Sequence, residues 1–322
     1  MGKKVNILIG SNHLGENFAE KLQDFFPEAN FIKAFEEREQ LQQIDKAEVY
    51  FGFPSKEIIK KGSKLKWIAC PGTGIDKIIA NSKSLNPNII ITNAPLAHVT
   101  PMAEHVVGTM VGLAHSFKQL FIDQSEKKWD VDQWNSKIVE LKGSNVCIYG
   151  YGELGKSIAK KLHAFDMNIF AIDPNTKQPN GVHKSINPPK DLDSILKKSN
   201  WLIIAAPLIS ETENFIRKKN LLLMPKNSYI VIISRGGIIN EKDLYEALYS
   251  GHLAGAGIDA TKIEPLPQNS PLWDINNAII SQHASALSPE MYEGRRNIFI
   301  ENIKRYINKK DLLHKCDLDK GY

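Results

Sequence analysis

Residues 150–155 read Gly-Tyr-Gly-Glu-Leu-Gly, the spacing G-x-G-x-x-G. The run follows an apolar strand-like stretch, Asn145–Tyr149, and opens a helix-like one, Leu154–Phe165, which is the context this motif needs to hold a dinucleotide. Gly150 makes the tight turn, Gly152 lets backbone approach a pyrophosphate, and Gly155 lets helix pack on strand. The helix N-terminus then faces the phosphates. The next strand ends at Asp173, eighteen residues beyond Gly155. A carboxylate there accepts hydrogen bonds from the adenosine ribose hydroxyls and repels the extra phosphate of NADP, so NAD is expected ahead of NADP. No Arg follows closely; Lys177 is the nearest cation. Glu153 stands in the first helical turn, where it suits the helix dipole but opposes a phosphate unless it turns to solvent.

Three later segments place an imidazole, a guanidinium and carboxylates at strand ends. Ser234-Arg235-Gly236-Gly237 follows the apolar run Ile230–Ile233. Gly255-Ala256-Gly257-Ile258-Asp259 is followed by Glu264-Pro265-Leu266-Pro267, and Ser281-Gln282-His283 follows Ala278–Ile280. In a parallel sheet the carboxyl ends of strands border the ligand crevice, so Arg235, Asp259 and His283 are expected to face one cleft. Taken singly each has a plainer reading: a strand-end His is usually structural, and an Arg before two glycines is usually a solvated turn residue.

The elements that must position these residues alternate strand and helix. Val5–Ile9, Val49–Phe51, Trp67–Cys70 and Ile89–Thr92 read as buried strands, with a helix over Asn17–Phe26. A second series contains Asn145–Tyr149, Ile169–Ile172, Trp201–Ala205, Ile230–Ile233 and Ala278–Ile280, with a helix over Lys242–Ser250. This is the pattern of parallel sheets covered on both faces. Long helix-like stretches over Pro101–Ile122 and Pro289–Asn308 read as crossovers between two domains.

At 322 residues, 42% hydrophobic and 24% charged, the chain suits two globular domains. Its longest apolar runs, such as Trp201–Ile209, fall well short of the roughly 20 residues of a membrane span. The N-terminus passes directly into a strand, so no signal peptide is expected. Cys70, Cys147 and Cys316 fit neither a metal site nor a disulfide framework, and a reducing cytoplasm follows. A net charge of +5 spread over scattered lysines gives no nucleic-acid footprint.

Together the motifs resemble the D-isomer-specific 2-hydroxyacid dehydrogenase family, over about Leu65 to Asn302. The resemblance rests on Gly150–Gly155, Pro207-Leu208 with Glu211-Thr212, Arg235-Gly236, Asp259 with Glu264-Pro265-Leu266, and His283. It implies a flavodoxin-like substrate domain (1–100 and 288–322) and an inserted Rossmann NAD-binding domain (101–287), both doubly wound α/β sheets. A homodimer through the NAD-binding domains is also implied. Arg235 would hold the carboxylate and 2-oxo group, for which a guanidinium fork suits better than an ammonium. His283 would protonate the oxo group, its ordinary pKa lying near working pH. Glu264 would fix the imidazole ring. Asp259 would meet the nicotinamide carboxamide and Pro207 would wall its ring. Glu153, Leu154, Ala206, Thr212 and Ile233 join the expected cofactor contacts. Pro71-Gly72-Thr73-Gly74 resembles the family's glycine turn, with the N–H groups of Thr73 and Gly74 toward the substrate carboxylate; cleft closure would bring them toward Arg235. Ala103-Glu104-His105 resembles the family's Ala-Glu pair.

Three positions depart from the pattern: Ile232 stands where the family has Asn, Gln282 where it has Pro, and His115 near a usual Arg. The expected substrate is a short 2-oxo acid such as glyoxylate or hydroxypyruvate, with 3-phosphoglycerate as the alternative. An NAD-sensing corepressor-like binding protein, and a dehydrogenase of formate or phosphite, would carry many of the same motifs. No metal is expected.

Overall fold

The computed structural model describes residues 4–15, 17–81, 84–177, 183–318 and 320–321. The chain divides into two compact units, Met1–His98 with Leu287–Tyr322, and Val99–Ala286.

The first unit is built on five parallel strands: β1 (Val5–Ile9), β2 (Ala29–Lys33), β3 (Val49–Phe51), β4 (Trp67–Ala69) and β5 (Ile90–Thr92). Their order, β2-β1-β3-β4-β5, is that of the flavodoxin-like sheet. Successive side chains enter opposite cores. Ile7 and Ile9 join Leu22, Phe51 and Phe299 on one face, while Leu8, Tyr50 and Ile68 join Ile44, Ile58 and Ile78 on the other. The helix Pro289–Ile307 belongs to this unit. It starts sharply because the Ser288 side chain accepts the Met291 N–H and Pro289 occupies the first turn, where no N–H is needed. Phe299 stacks its ring 4.6 Å from Phe51.

The second unit holds seven parallel strands: β6 (Asn145–Tyr149), β7 (Asn168–Ile172), β8 (Ser185–Asn187), β9 (Trp201–Ile204), β10 (Ser228–Ile232), β11 (Leu253–Ile258) and β12 (Ala278–Ile280). Their order is β12-β11-β10-β9-β6-β7-β8, the doubly wound dinucleotide-fold order with one added strand. The order reverses between β6 and β9, and a ligand crevice opens at such a switch point, outside the carboxyl ends of the strands.

The connecting helix differs from the expected one. It runs Pro95–Ala114, carrying Pro101 inside it, and a separate helix follows over Phe117–Ser125. The break falls at Ser116, whose φ of 54° is left-handed. Three strands, β2, β8 and β11, were not expected as such. β11 carries two glycines, Gly255 and Gly257, which weaken a strand signal. They are small because neighbours press on the strand: a Cβ on Gly257 would lie 2.3 Å from Cγ2 of Thr109, on the helix crossing that face.

Candidate active site

The glycine turn after β6 is shaped by two different demands. Gly150 has φ +97°, and a Cβ on it would come within 2.4 Å of the Ala206 nitrogen; Gly155 would strike the Gly150 carbonyl oxygen at 2.2 Å. The fold itself requires both. Gly152 is otherwise. Its backbone (φ −74°) suits any residue, and nothing lies within 4 Å of where its Cβ would be. No contact among the described residues explains that glycine. An opening there, at the N-terminus of the helix Glu153–His163, fits a pyrophosphate brought against backbone. Glu153 does not occupy this space: its side chain is 62% exposed and pairs with Lys156 at 3.2 Å. Leu154 is half-buried and packs on the core beneath.

Asp173, at the end of β7, accepts the Tyr151 N–H through Oδ2 at 2.8 Å and the Asn175 N–H through Oδ1 at 2.8 Å. The carboxylate therefore anchors the glycine turn. Tyr151 itself is buried, which raises its phenol's pKa, and its hydroxyl lies 3.1 Å from Nδ1 of His183. After β9, Ala206 is buried and Pro207 exposed. Thr212 closes the loop behind them, donating to the Pro207 carbonyl at 2.7 Å and accepting the Ile209 N–H at 2.9 Å. Ile233 is wholly buried in the core. Ile232 also points into the core, among Leu202, Ile204 and Ile258, where a polar group would lack a partner.

At the neighbouring strand ends the catalytic candidates come together. His283 Nδ1 lies 3.0 and 2.9 Å from the two carboxylate oxygens of Glu264. The side chains keep 44% and 34% of their exposure, so the pair is open to solvent on one side. Glu264 Oε1 also accepts the Thr261 N–H at 3.1 Å. Its loop lies directly against Gly236, where a Cβ would be 2.3 Å from the Thr261 carbonyl carbon. The glycine after Arg235 is thus what admits the Glu264 loop. Arg235 is half-buried, with Nη1 donating to the Ser234 carbonyl at 2.9 Å.

Asp259 is 4% exposed, and its carboxylate is spoken for. Oδ1 accepts Ser281 Oγ at 2.7 Å and the N–H groups of Ala284 (3.0 Å) and Ser285 (3.2 Å); Oδ2 accepts the Ser285 hydroxyl. The His283 N–H donates to the Asp259 carbonyl at 2.6 Å. Asp259 therefore holds the loop that carries the imidazole. Ser281 also meets Nε2 of His105 at 2.9 Å. Ser281, Ser285 and His105 were not foreseen; the serines flanking His283 are the only trace of this network in the sequence. Gln282 and His283 both adopt left-handed backbone, φ 58° and 56°. A proline could not take that φ at position 282, which accounts for the departure from the family pattern there.

Thr73 and Gly74 lie in the other unit, on the turn after β4. Among the described residues neither N–H has a protein acceptor. The turn is held by Asn93 Nδ2 donating to the Thr73 carbonyl at 2.6 Å and by the Cys70 thiol donating to the Gly74 carbonyl at 3.7 Å. Among the described residues no cluster could hold a metal ion, and no helix is long and apolar enough to cross a membrane.

Residues 107–285 match the NAD-binding domain of the D-isomer specific 2-hydroxyacid dehydrogenases, and the chain belongs to that family. It is 31% identical over 253 residues to a D-3-phosphoglycerate dehydrogenase of Methanocaldococcus jannaschii, covering 79% of this chain and 48% of that protein. It is 30% identical over 251 residues to a hydroxypyruvate reductase of Thermotoga maritima, covering 77% of this chain and 79% of that protein. The chain spans about half the length of the phosphoglycerate dehydrogenases it matches. Among solved structures, a family protein of Aeromonas salmonicida shares the fold at TM-score 0.86 and 24% identity, covering 99% of this chain and all of that one.

Proposed function

We propose that the protein is an NAD-dependent oxidoreductase that interconverts a small 2-oxo acid and its D-2-hydroxy acid. The observation that carries this reading is the His283–Glu264 pair, at the same row of strand ends as the open space over Gly152. A nicotinamide bound in this row supplies or receives the hydride. The protein's own residues do the rest. Glu264 accepts a hydrogen bond from Nδ1–H of His283, which leaves Nε2 to give a proton to the oxo oxygen or to take one from the hydroxyl. Asp259, Ser281 and Ser285 keep that imidazole in register. Arg235 grips the carboxylate and the adjacent oxo oxygen.

Asp173 supports NAD over NADP, since its carboxylate opposes a ribose phosphate. Glyoxylate or hydroxypyruvate is the favoured substrate, supported by the hydroxypyruvate reductase match over most of that protein's length. The exposed apolar side chains Phe121, Trp129 and Val131 support a homodimer through the second unit. The deciding experiment follows NADH and NADPH absorbance with glyoxylate, hydroxypyruvate, pyruvate, 3-phosphohydroxypyruvate and carbon dioxide. Oxidation of NADH by one of the 2-oxo acids is expected. Tight NADH binding with no turnover of any 2-oxo acid would overturn the reading in favour of a nucleotide sensor.

A further inference from the structure

Arg295 projects from the helix Pro289–Ile307 into the interior of the first unit and is only 5% exposed. Buried guanidinium groups are normally matched by a carboxylate. Here, among the described residues, none lies within ion-pair distance. Its Nη1 donates to the His13 carbonyl at 3.2 Å and its Nη2 to Nε2 of His98 at 3.0 Å, while Nε is buried with no partner at all. His98 must be neutral to accept that bond, and its Nδ1 is already 2.8 Å from the Ala94 carbonyl. The His13 pKa is lowered by burial and then by the neighbouring Arg295 charge. Asp76 acts on Cys70, as Arg295 does, but makes no ion pair with the arginine. The charge is thus left without a counter-ion.

Its position explains what the counter-ion is. Arg295 lines a cavity of about 10 Å³, room for a single water, together with Cys70, Thr92, Asn93 and Ala94. Two of these neighbours hold the anion-facing turn: Cys70 through the Gly74 carbonyl and Asn93 through the Thr73 carbonyl. Gly72, in the same turn, accepts the Ala94 N–H at 2.9 Å. The cation therefore lies beside the two side chains that hold a turn whose Thr73 and Gly74 N–H groups lack acceptors among the described residues.

We infer that Arg295 is a charge-selecting positioning residue, whose buried positive charge makes the Thr73–Gly74 turn prefer a substrate carboxylate over a neutral group. This rests on the reading of the protein as a 2-oxo acid enzyme. Arg295 does not touch the substrate; it sets the potential of the donors that do. Two unit charges about 10 Å apart in an effective dielectric of about 20 interact by an amount worth on the order of tenfold in affinity.

The test compares oxamate, an anionic 2-oxo acid mimic, with oxamide, its neutral counterpart, by quenching of bound NADH fluorescence. Arg295→Met removes the charge and keeps much of the bulk; replacing a buried ion with an apolar group is often tolerated. It is expected to weaken oxamate about tenfold, to leave oxamide binding unchanged, and to leave NADH affinity unchanged. Arg295→Lys should recover oxamate binding to within about threefold of the wild type. Equal losses for oxamate and oxamide would make Arg295 a structural staple and overturn the inference, as would oxamate binding at the wild-type level in Arg295→Met. The proposed activity is judged separately: wild-type protein that binds NADH but not oxamate would refute that activity whatever Arg295 does.

Discussion

Gly150 and Gly152 stand two residues apart in one turn, yet their substitution by alanine should have opposite signatures. Alanine at 150 must adopt φ +97° and must clear the Ala206 nitrogen, 2.4 Å from its Cβ. The left-handed backbone costs about 1–2 kcal/mol and the overpacking about 1–3 kcal/mol, so a loss of about 2–5 kcal/mol is expected. For a unit of this size that lowers the melting temperature by roughly 5–15 °C. Alanine at 152 meets nothing within 4 Å and keeps an ordinary φ of −74°. The apoprotein should therefore be unharmed, or stabilised by about 0.4–1 kcal/mol as its unfolded chain loses freedom. Its methyl group would fill the space assigned to the pyrophosphate, so NADH affinity should fall by a factor of about 10–100, or roughly 1.4–2.8 kcal/mol. Calorimetry of the apoproteins and titration of NADH fluorescence read the two effects independently. Wild-type NADH affinity in Gly152→Ala would refute the claim that this glycine exists for a ligand. An unchanged melting temperature in Gly150→Ala would refute the tight approach of the Ala206 backbone.

His283→Ala should lower kcat by about 10²–10⁴-fold while NADH affinity stays within a factor of about two; near-normal turnover would remove its acid–base role. Gln282→Pro cannot keep φ 58°, so the loop bonded to Asp259 must rearrange and kcat should drop, whereas Gln282→Gly should raise the melting temperature by relieving about 1 kcal/mol of left-handed strain. Burial pushes the thiols of Cys70, Cys147 and Cys316 up to about 12. A disulfide reagent at pH 8 should therefore modify them only after denaturation, and, because the unfolded thiols ionise first, stability should decline as pH rises above about 9. Trp129 is 92% exposed, and Trp129→Asp should shift the protein from dimer toward monomer in sedimentation if its apolar neighbourhood is the subunit contact.

The parts of this molecule legible in the sequence are those set by local chemistry. The glycine turn announces itself because steric contact with Ala206 and with its own carbonyl admits only glycine at 150 and 155. Strands with both faces buried appear as short apolar runs, and β6, β9 and β10 were read to within two residues at either end. What escaped depends on contacts between distant segments. The glycines of β11 find their reason only when Thr109 is placed against Gly257, 148 positions earlier in the chain. His105 reads as a structural histidine until Ser281 comes within 2.9 Å, across 176 positions. Asp259 was recognised as a site residue by its place after a strand, but its hydrogen-bond partners lie in a loop that begins 22 residues later. Sequence spacing locates a carboxylate at the sheet edge without fixing which way it turns.

That difference bears on how the acid–base pair is built. Glu264 and His283 are both substantially exposed and sit on loops, where a pair of side chains would ordinarily sample many arrangements. The constraint comes from beneath. Asp259 is buried, and it binds the Ser281 hydroxyl before His283 and the Ala284 and Ser285 N–H groups after it, while its own strand, β11, is clamped between β10 and β12. A buried carboxylate with four hydrogen bonds to one loop loses several kcal/mol if that loop moves away, since each lost donor leaves desolvated charge behind. The left-handed backbone at Gln282 and His283 is sustained by the same bonds, and it directs the imidazole toward Glu264. Precision in an exposed catalytic pair is thus purchased from a buried group that need never meet the substrate.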